Sequence, residues 1–275
     1  MFTFDQKELL INYTKLSSLT TNDPEHKKKL TNPHPKDDRY KNVLPYNYNI
    51  PKLSNKEYIN ASFIHLPSYR NIIATQGPKK ETFNNFYQMI FDYDINVIVM
   101  LCQFIENNRV KCDNYLKINE LNLNFQIEMI EKKDIETKSL IVNKLYVLNK
   151  ITKEKKEIYH INFLFWPDHY VPDIKKTFND FIQIFYLIYF KKGDKPLLVH
   201  CSAGVGRTGT FISIFLLFNE IQTQLKNNNQ TIQFNIFNVV RQLKEMRLLL
   251  VENNEQYIFI YKFVKYYLEH YKEIF

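Results

Sequence analysis

Apolar residues recur along the chain with two different spacings, one typical of strands and one typical of helices. Short runs that alternate apolar and polar residues, or that are apolar and β-branched throughout, predict strands. Longer stretches with an apolar residue every three or four positions predict helices that face a core. The predicted strands are residues 58–64, 72–75, 95–101 and 197–200, with several short antiparallel strands between residues 121 and 165. The predicted helices are residues 4–19, 81–91, 177–190, 207–225, 237–247 and 253–271.

This succession of elements predicts an α/β fold in which helices flank a twisted, mixed β-sheet. No internal repeat and no Gly/Ser-rich linker interrupts the 275 residues, so we expect a single domain over residues 1–275. The motif-bearing core spans about residues 35–271. Residues 21–38 are polar and contain prolines, which predicts a loop.

Composition narrows the class of protein. The chain is 45% hydrophobic and 15% aromatic, which excludes a disordered chain. Its formal net charge of +8 favours anionic partners without choosing among acidic peptides, nucleic acid and membrane surfaces. Three cysteines are too few for a disulfide framework and predict free thiols in a reducing compartment. The N-terminus lacks an apolar signal core, and the longest apolar runs are shorter than the roughly 20 residues of a membrane span. We therefore expect a cytoplasmic protein without a transmembrane segment.

The strongest chemical signal lies where a predicted strand, a glycine-containing loop and a predicted helix follow one another. The loop begins with Cys201 and ends with Arg207. Gly204 and Gly206 allow backbone conformations that side chains would prevent, so that successive N–H groups can point inward at the helix N-terminus. Such a nest binds anions, and an arginine holds two phosphate oxygens in a bidentate fork. The pattern predicts a phosphate-binding loop between a strand and a buried helix.

The same environment activates a thiol. Helix N-termini and neighbouring cations favour the thiolate form of cysteine, so we expect Cys201 to be a thiolate at neutral pH. Thr208 follows Arg207, and its hydroxyl is expected to hydrogen-bond that thiolate. An isolated cysteine is more often an ordinary buried thiol, but the coincidence of strand, glycines, arginine and helix favours a nucleophile. A P-loop nucleoside triphosphatase is excluded, because no Gly-Lys-Ser/Thr occurs here. No metal or other cofactor is expected, because Arg207 and the loop can stabilise the charge.

Residues 200–208, His-Cys-Ser-Ala-Gly-Val-Gly-Arg-Thr, resemble the signature of the protein tyrosine phosphatases. Further motifs follow the order of that family over roughly residues 35 to 262. They are Asp-Arg-Tyr-Lys-Asn-Val-Leu-Pro-Tyr at residues 38–46, Tyr-Ile-Asn-Ala-Ser at 58–62, Ala-Thr-Gln-Gly-Pro at 74–78, Glu-Asn-Asn-Arg-Val-Lys-Cys at 106–112, Trp-Pro-Asp at 166–168 and Glu-Gln-Tyr at 255–257. The set resembles the tyrosine-specific branch rather than the shorter dual-specificity enzymes.

The resemblance implies an enzyme that hydrolyses phosphotyrosine in proteins through a cysteinyl-phosphate intermediate. Its partners would be phosphotyrosine-containing proteins and not nucleic acid. Cys201 matches the nucleophile and Asp168 the general acid on a mobile loop, with Arg207 and Thr208 completing the catalytic set. An acid is needed because the leaving tyrosinate has a conjugate-acid pKa near 10, and such an acid contributes about 10²–10⁴ in rate.

Further roles follow from the resemblance alone. Tyr40 matches an aromatic wall that stacks on the phosphotyrosine ring and makes the pocket too deep for phosphoserine, and Asn42 matches a residue that binds the substrate backbone. The substrate-binding set is Tyr40, Asn42, Ser202, Ala203, Gly204, Val205, Gly206 and Gln256. The supporting positions are Glu106 and Lys111, which steady Arg207 and the acid loop, together with His200, Trp166 and Glu252.

The chain also departs from the family pattern. Glu252 stands where the family has a glutamine that orients the attacking water, so we expect it to slow hydrolysis of the intermediate. Leu249 replaces a glycine near the pocket rim and is expected to narrow access, and Tyr170 replaces a glycine in the acid loop. These changes leave open a phosphotyrosine-binding pseudophosphatase with weak turnover. The basic charge leaves open a phosphatase of inositol lipids, against which Tyr40 and the absence of lysine between Cys201 and Arg207 speak.

Overall fold

In the part of the chain that the structure describes, the strands form a seven-stranded sheet and a small two-stranded sheet. The structure is a computed structural model that describes residues 2–21, 35–66, 71–134, 139–167, 170–192, 195–227 and 231–274. The strands are β1 (Ala61–Ile64), β2 (Ile72–Thr75), β3 (Val97–Met100), β4 (Ile105–Glu106), β5 (Arg109–Val110), β6 (Phe125–Asp134), β7 (Leu140–Asn149), β8 (Lys155–Phe163) and β9 (Leu197–His200). The helices are α1 (Gln6–Thr21), α2 (Phe83–Asp92), α3 (Asn179–Lys191), α4 (Gly206–Lys226), α5 (Ile236–Met246) and α6 (Asn254–Ile274), with a 3₁₀ turn at Lys80–Thr82 and a π turn at Ile174–Phe178.

The large sheet is mixed, in the order β1-β2-β9-β3-β8-β7-β6. Its central strands β2, β9, β3 and β8 run parallel, and the strands at both edges pair antiparallel. Every residue of β9 is buried, which explains why this strand is apolar almost throughout. The register places His200 beside both Thr75 and Met100. Residues that follow β9 therefore emerge at the centre of the sheet's carboxyl edge, where open α/β sheets usually bind ligands.

Helix α4 leads away from that edge through the core. All its residues from Gly206 to Phe218 are buried. Phe211 and Phe215 pack against Phe185 of α3 at ring-centroid distances of 5.0 and 5.3 Å. A helix that is buried on all sides keeps its first turn, and the loop before it, in a fixed place. The predicted α/β architecture, a mixed sheet flanked by helices, is confirmed.

Several predicted boundaries were wrong. The strand predicted at residues 58–64 begins only at Ala61, whose N–H donates to the carbonyl of Ile59 in a local turn, and the ladder with β2 starts at the pair Ala61 and Thr75. The hairpin of β4 and β5 was not predicted, and the π turn before α3 was not predicted either. The loop predicted at residues 21–38 lies largely outside the described residues.

Candidate active site

The loop from Cys201 to Arg207 connects the end of β9 to the start of α4. Neighbouring segments hold its first residues by backbone hydrogen bonds. The N–H of Leu101 donates to the carbonyl of His200 at 2.9 Å, and the N–H of Gly77 donates to the carbonyl of Ser202 at 2.9 Å. Cys201 is 5% exposed and Ser202 7% exposed, so the start of the loop is almost buried.

Gly204 is required by both its conformation and its surroundings. Its φ angle is +72°, in the left-handed region that side chains disfavour. A Cβ atom at this position would lie 2.1 Å from the carbonyl oxygen of Thr75. The glycine therefore lets the loop turn against strand β2, between half-buried Ala203 and buried Val205.

Arg247, at the end of α5, holds the outer side of the loop and was not singled out from the sequence. Its side chain is fully buried. Its Nε donates to the carbonyl of Gly204 at 2.8 Å, and its Nη2 donates to the carbonyl of Ala203 at 3.2 Å. Nη2 also donates to Oδ1 of Asn60 at 2.7 Å. Because these bonds pull loop carbonyls toward Arg247, they favour N–H groups that face the opposite side, where an anion would lie.

Arg207 is held in place by a bidentate ion pair with Glu106. Its Nη1 and Nη2 atoms donate to the two carboxylate oxygens of Glu106, both at 2.7 Å. Nη1 also donates to the carbonyl of Leu101 at 3.1 Å. Burial by itself lowers the pKa of Arg207, but hydrogen bonding to Glu106 and the nearby Cys201 raise it above its usual value. The guanidinium is therefore a permanent and oriented cation. Glu106 comes from strand β4 of the unpredicted hairpin.

Tyr40 is attached to the loop through Ser202. The hydroxyl of Ser202 donates to the carbonyl of Lys111 at 2.7 Å. Since that hydroxyl has one hydrogen, its oxygen must accept from the Tyr40 hydroxyl, which lies 2.8 Å away. Asn42 is exposed nearby, and Lys111 is half-buried. This chain of bonds ties the Tyr40 segment, the β5 segment and the loop together.

Another part of the site is formed by Gln256 and Glu252. Gln256 is 1% exposed, and its Oε1 accepts from the backbone N–H of Glu252 at 2.9 Å. A Cβ atom on Gly206 would lie 2.8 Å from Oε2 of Glu252 and 2.9 Å from Nε2 of Gln256. Both side chains thus lie against the first residue of α4. Leu249 is half-buried and is not among the residues that line the cavity described next.

These segments enclose a cavity of about 430 Å³. Its lining brings together four stretches that are far apart in sequence, at residues 40–43, 109–111, 201–207 and 252–256. Cys201, Arg207, Tyr40, Asn42, Lys111 and Gln256 are all among its lining residues. A volume of this size suits a small rigid group, since ligand pockets commonly hold about 300–1,000 Å³.

His200 supports the site from within the core. Its Nδ1 lies 3.0 Å from the carbonyl of Cys201 and must donate, because a carbonyl only accepts. Burial lowers the pKa of His200 to about 4, so the ring is neutral and its Nε2 accepts from the Tyr115 hydroxyl at 2.7 Å. The Tyr115 oxygen in turn lies 2.8 Å from Nε2 of His160, whose pKa burial lowers to about 3. Two neutral histidines are therefore linked through one tyrosine.

Thr208 differs from expectation, whereas Trp166 is a buried residue next to the predicted acid. Thr208 is fully buried, but its hydroxyl oxygen has no hydrogen-bond partner among the described residues, so the expected bond to Cys201 is not formed. A buried unpaired hydroxyl is costly. Trp166 is 2% exposed, and its indole N–H donates to the carbonyl of Tyr170 at 3.1 Å. The two bonded residues lie on either side of Asp168 in the sequence, and Asp168 itself lies outside the described residues.

The three cysteines are free and differ in surroundings. Cys102 and Cys112 are each 1% exposed and lie outside the cavity lining. Burial raises the pKa of both thiols well above the usual range. In the described part of the chain, no group of three or more His, Cys, Asp or Glu side chains is arranged to hold a metal ion. No helix in the same part is long and apolar enough to cross a membrane.

Comparison with known proteins agrees with this geometry. The model of a family described as protein-tyrosine phosphatase matches residues 34–266. Rat tyrosine-protein phosphatase non-receptor type 20 is 36% identical over 235 residues, which are 82% of this chain and 53% of the relative. Human receptor-type tyrosine-protein phosphatase eta is 35% identical over 234 residues, which are 81% of this chain and 17% of the relative. The chain thus spans about half the length of the first relative.

Solved structures give the same result. The catalytic domain of human protein tyrosine phosphatase non-receptor type 18 superposes with a TM-score of 0.74 at 27% sequence identity, covering 94% of this chain and 95% of that domain. Another structure of this phosphatase gives a TM-score of 0.79, again at 27% identity, with 93% of both chains covered. The chain therefore belongs to the protein-tyrosine phosphatase family, and the resemblance found in its motifs is confirmed.

Proposed function

We propose that this chain hydrolyses phosphotyrosine in proteins through a cysteinyl-phosphate intermediate. The observation that carries this proposal is the shared cavity, in which Cys201 meets a guanidinium held by Glu106 and an aromatic side chain held by Ser202. A nucleophile, a fixed cation and an aromatic wall suit a phosphate ester of a phenol. Non-receptor type 18, to which this chain is similar, has a structure in complex with HER2 phosphopeptides.

In the first step, the Cys201 thiolate attacks phosphorus and the bond from phosphorus to the phenolic oxygen breaks. Asp168 gives its proton to that oxygen, so that neutral tyrosine leaves. Arg207 and the N–H groups of residues 202–206 hold the phosphoryl oxygens, whose charge they stabilise in the transition state. Tyr40 stacks on the departing ring, and Asn42 binds the backbone of the substrate.

In the second step, water attacks phosphorus and the bond from phosphorus to sulfur breaks. The ionised Asp168 takes a proton from the water, and the sulfur leaves as the Cys201 thiolate. Inorganic phosphate is released and the enzyme returns to its starting state. Gln256 is suited to hold the water, because its carboxamide lies against Gly206 at the cavity.

The test is turnover of a phosphotyrosine peptide and of an aryl phosphate in the presence of a chelator. The native chain is expected to turn over both substrates and to be inhibited by vanadate. Cys201→Ser should abolish turnover but retain binding of the phosphopeptide, whereas the matched variant Cys102→Ser should remain active. Substantial hydrolysis by Cys201→Ser would refute the assignment of the nucleophile.

One alternative function has an observation in its favour. Glu252 lies at the cavity as an additional negative group close to the proposed phosphate site, which suits a phosphotyrosine-binding protein with weak turnover. Tight peptide binding by the native chain without measurable turnover would establish that alternative. Because its described thiols are free and its relatives include non-receptor enzymes, we further propose that the chain acts in the reducing cytoplasm.

A further inference from the structure

The backbone carbonyl of Val251 accepts two side-chain hydrogen bonds from distant parts of the chain. The Tyr13 hydroxyl of α1 donates to it at 3.1 Å, and Nζ of Lys244 in α5 donates to it at 2.9 Å. Lys244 is 2% exposed, and its Nζ lies 5.4 Å from the centre of the Tyr13 ring. Neither donor lines the cavity, yet both act on the residue that directly precedes Glu252.

Val251 has a backbone conformation that needs such support. Its φ angle is +59°, which is a true outlier for a β-branched residue. Strain of this kind persists only where the surrounding structure imposes it, and it is concentrated at functional sites. The N–H of Val251 also donates to the carbonyl of Val205 in the phosphate-binding loop, at 3.4 Å. Both ends of the strained residue are therefore tied down.

The carbonyl of Val251 and the N–H of Glu252 belong to one peptide group, which is planar and rigid. Fixing the carbonyl oxygen therefore fixes the direction of the Glu252 N–H. This N–H donates to Oε1 of Gln256 at 2.9 Å. A carboxamide has its acceptor and its donors on opposite arms, so an anchored Oε1 also sets the direction of Nε2. That donor lies against Gly206, at the lining of the cavity.

We propose that Tyr13 and Lys244 are positioning residues for Gln256. Through the peptide group between Val251 and Glu252, they aim the Gln256 carboxamide at the water that hydrolyses the cysteinyl phosphate. The inference rests on the proposed function and makes the N-terminal helix α1 part of the machinery of the second step. The first step does not use this water, so it is independent of the two donors.

The test separates the two chemical steps in the variants Tyr13→Phe and Lys244→Met. Rapid mixing with an aryl phosphate measures phenol release, and rapid quenching measures decay of the cysteinyl phosphate. We expect each variant to slow the decay about fivefold, equivalent to about 1 kcal/mol, and to leave the first step within about twofold of the native rate. The matched control is Tyr261→Phe, which removes a hydroxyl bonded to Tyr257 and not to Val251.

A second measurement does not depend on turnover. Amide hydrogen exchange followed by NMR should show faster exchange at the Glu252 N–H in Tyr13→Phe than in the native chain, and no change in Tyr261→Phe. Equal slowing of both chemical steps, or equal exchange in the two variants, would overturn the inference. If the native chain forms no cysteinyl phosphate, the proposed function fails, and unchanged exchange at Glu252 would still refute the coupling on its own.

Discussion

At the scale of single residues, the three cysteine thiols differ in whether a dissolved oxidant can reach them. Cys201 lines the cavity and begins the loop that leads from β9 into α4. Cys102 and Cys112 are each 1% exposed, and burial raises their pKa values, so that the protonated thiol is favoured at both positions. Peroxide reacts with thiolates that it can reach, so position rather than residue type determines sensitivity.

We therefore predict that dilute peroxide oxidises Cys201 before Cys102 and Cys112, and that a reducing agent restores activity. Mass spectrometry of the peptides after timed exposure measures the order. The Cys201→Ser variant supplies the control, because its remaining cysteines should react slowly in the same folded environment. Modification of Cys102 ahead of Cys201 would contradict the prediction.

Glu252 is the second residue whose position carries a kinetic prediction. Lys244 binds the carbonyl of Val251 and makes no hydrogen bond to the carboxylate, so Glu252 stays at the cavity. One like-charge pair at about 4 Å and an effective dielectric constant near 20 amounts to about 4 kcal/mol. Glu252 is exposed, so solvent screening leaves only part of this repulsion, but a tenfold slowing needs only about 1.4 kcal/mol. The negative cysteinyl phosphate should therefore be hydrolysed slowly.

Rapid mixing should then show a burst of phenol release in the native chain. Glu252→Gln, which keeps the shape of the side chain and removes its charge, should turn over about tenfold faster in the steady state. The absence of a burst, combined with slower turnover in Glu252→Gln, would mean instead that the carboxylate assists the water. The sign of the change in turnover therefore distinguishes the two roles.

At the scale of secondary structure, the end of α5 contributes to the site through Arg247, the residue that directly follows this helix. Arg247 binds two loop carbonyls and Asn60, all within the core. Its replacement removes this donor and leaves these acceptors buried. We predict that Arg247→Met lowers the free energy of unfolding by about 3 kcal/mol or more. The variant should also lose affinity for vanadate, since the loop carbonyls lose their anchor.

Urea unfolding with vanadate titration measures both effects. Arg241 on the same helix offers a matched control, because its ion pair with Glu245 is exposed on both sides. Arg241→Met should change the free energy of unfolding by no more than about 0.5 kcal/mol. Similar losses in the two variants would show that the loop does not depend on Arg247.

Helices and strands could be predicted from the sequence where the pattern of apolar residues matches the burial of the segment in the fold. The strand predicted at residues 197–200 is β9 as observed, and the helix predicted at 207–225 is α4 within one residue at each end. The strands β4 and β5 have two residues each, which is too short for an alternation of apolar and polar residues to be recognised in the sequence. Arg247 was missed for a different reason. Its bonds to Gly204 and Asn60 join residues that are 43 and 187 positions apart, which no local pattern reveals.

At the scale of the whole molecule, a line of buried polar groups crosses the sheet toward the active site. It runs from Asn143 of β7 through His160 of β8 and Tyr115 to His200 of β9, and ends at the carbonyl of Cys201. The directions follow from the two ends. His200 donates to the carbonyl and accepts from Tyr115, which accepts from His160, which accepts from the amide of Asn143. Each histidine must be neutral for this arrangement to hold.

Acid should therefore unfold the protein through these histidines. Burial lowers the pKa of His160 to about 3 and that of His200 to about 4, against about 6.5 in the unfolded chain. Below pH 6.5 and above the folded-state pKa values, the unfolded chain binds more protons at these histidines than the folded chain does. The free energy of unfolding is therefore highest above pH 6.5 and decreases as the pH falls. Each histidine contributes up to about 1.4 kcal/mol per pH unit to this decrease.

Urea unfolding between pH 5 and 7 measures this effect at pH values where most carboxylates do not titrate. His160→Gln, which cannot ionise, should roughly halve the slope, whereas Tyr115→Phe should lower stability at every pH and keep the slope. An unchanged slope in His160→Gln would show that His160 does not carry the acid sensitivity of the fold.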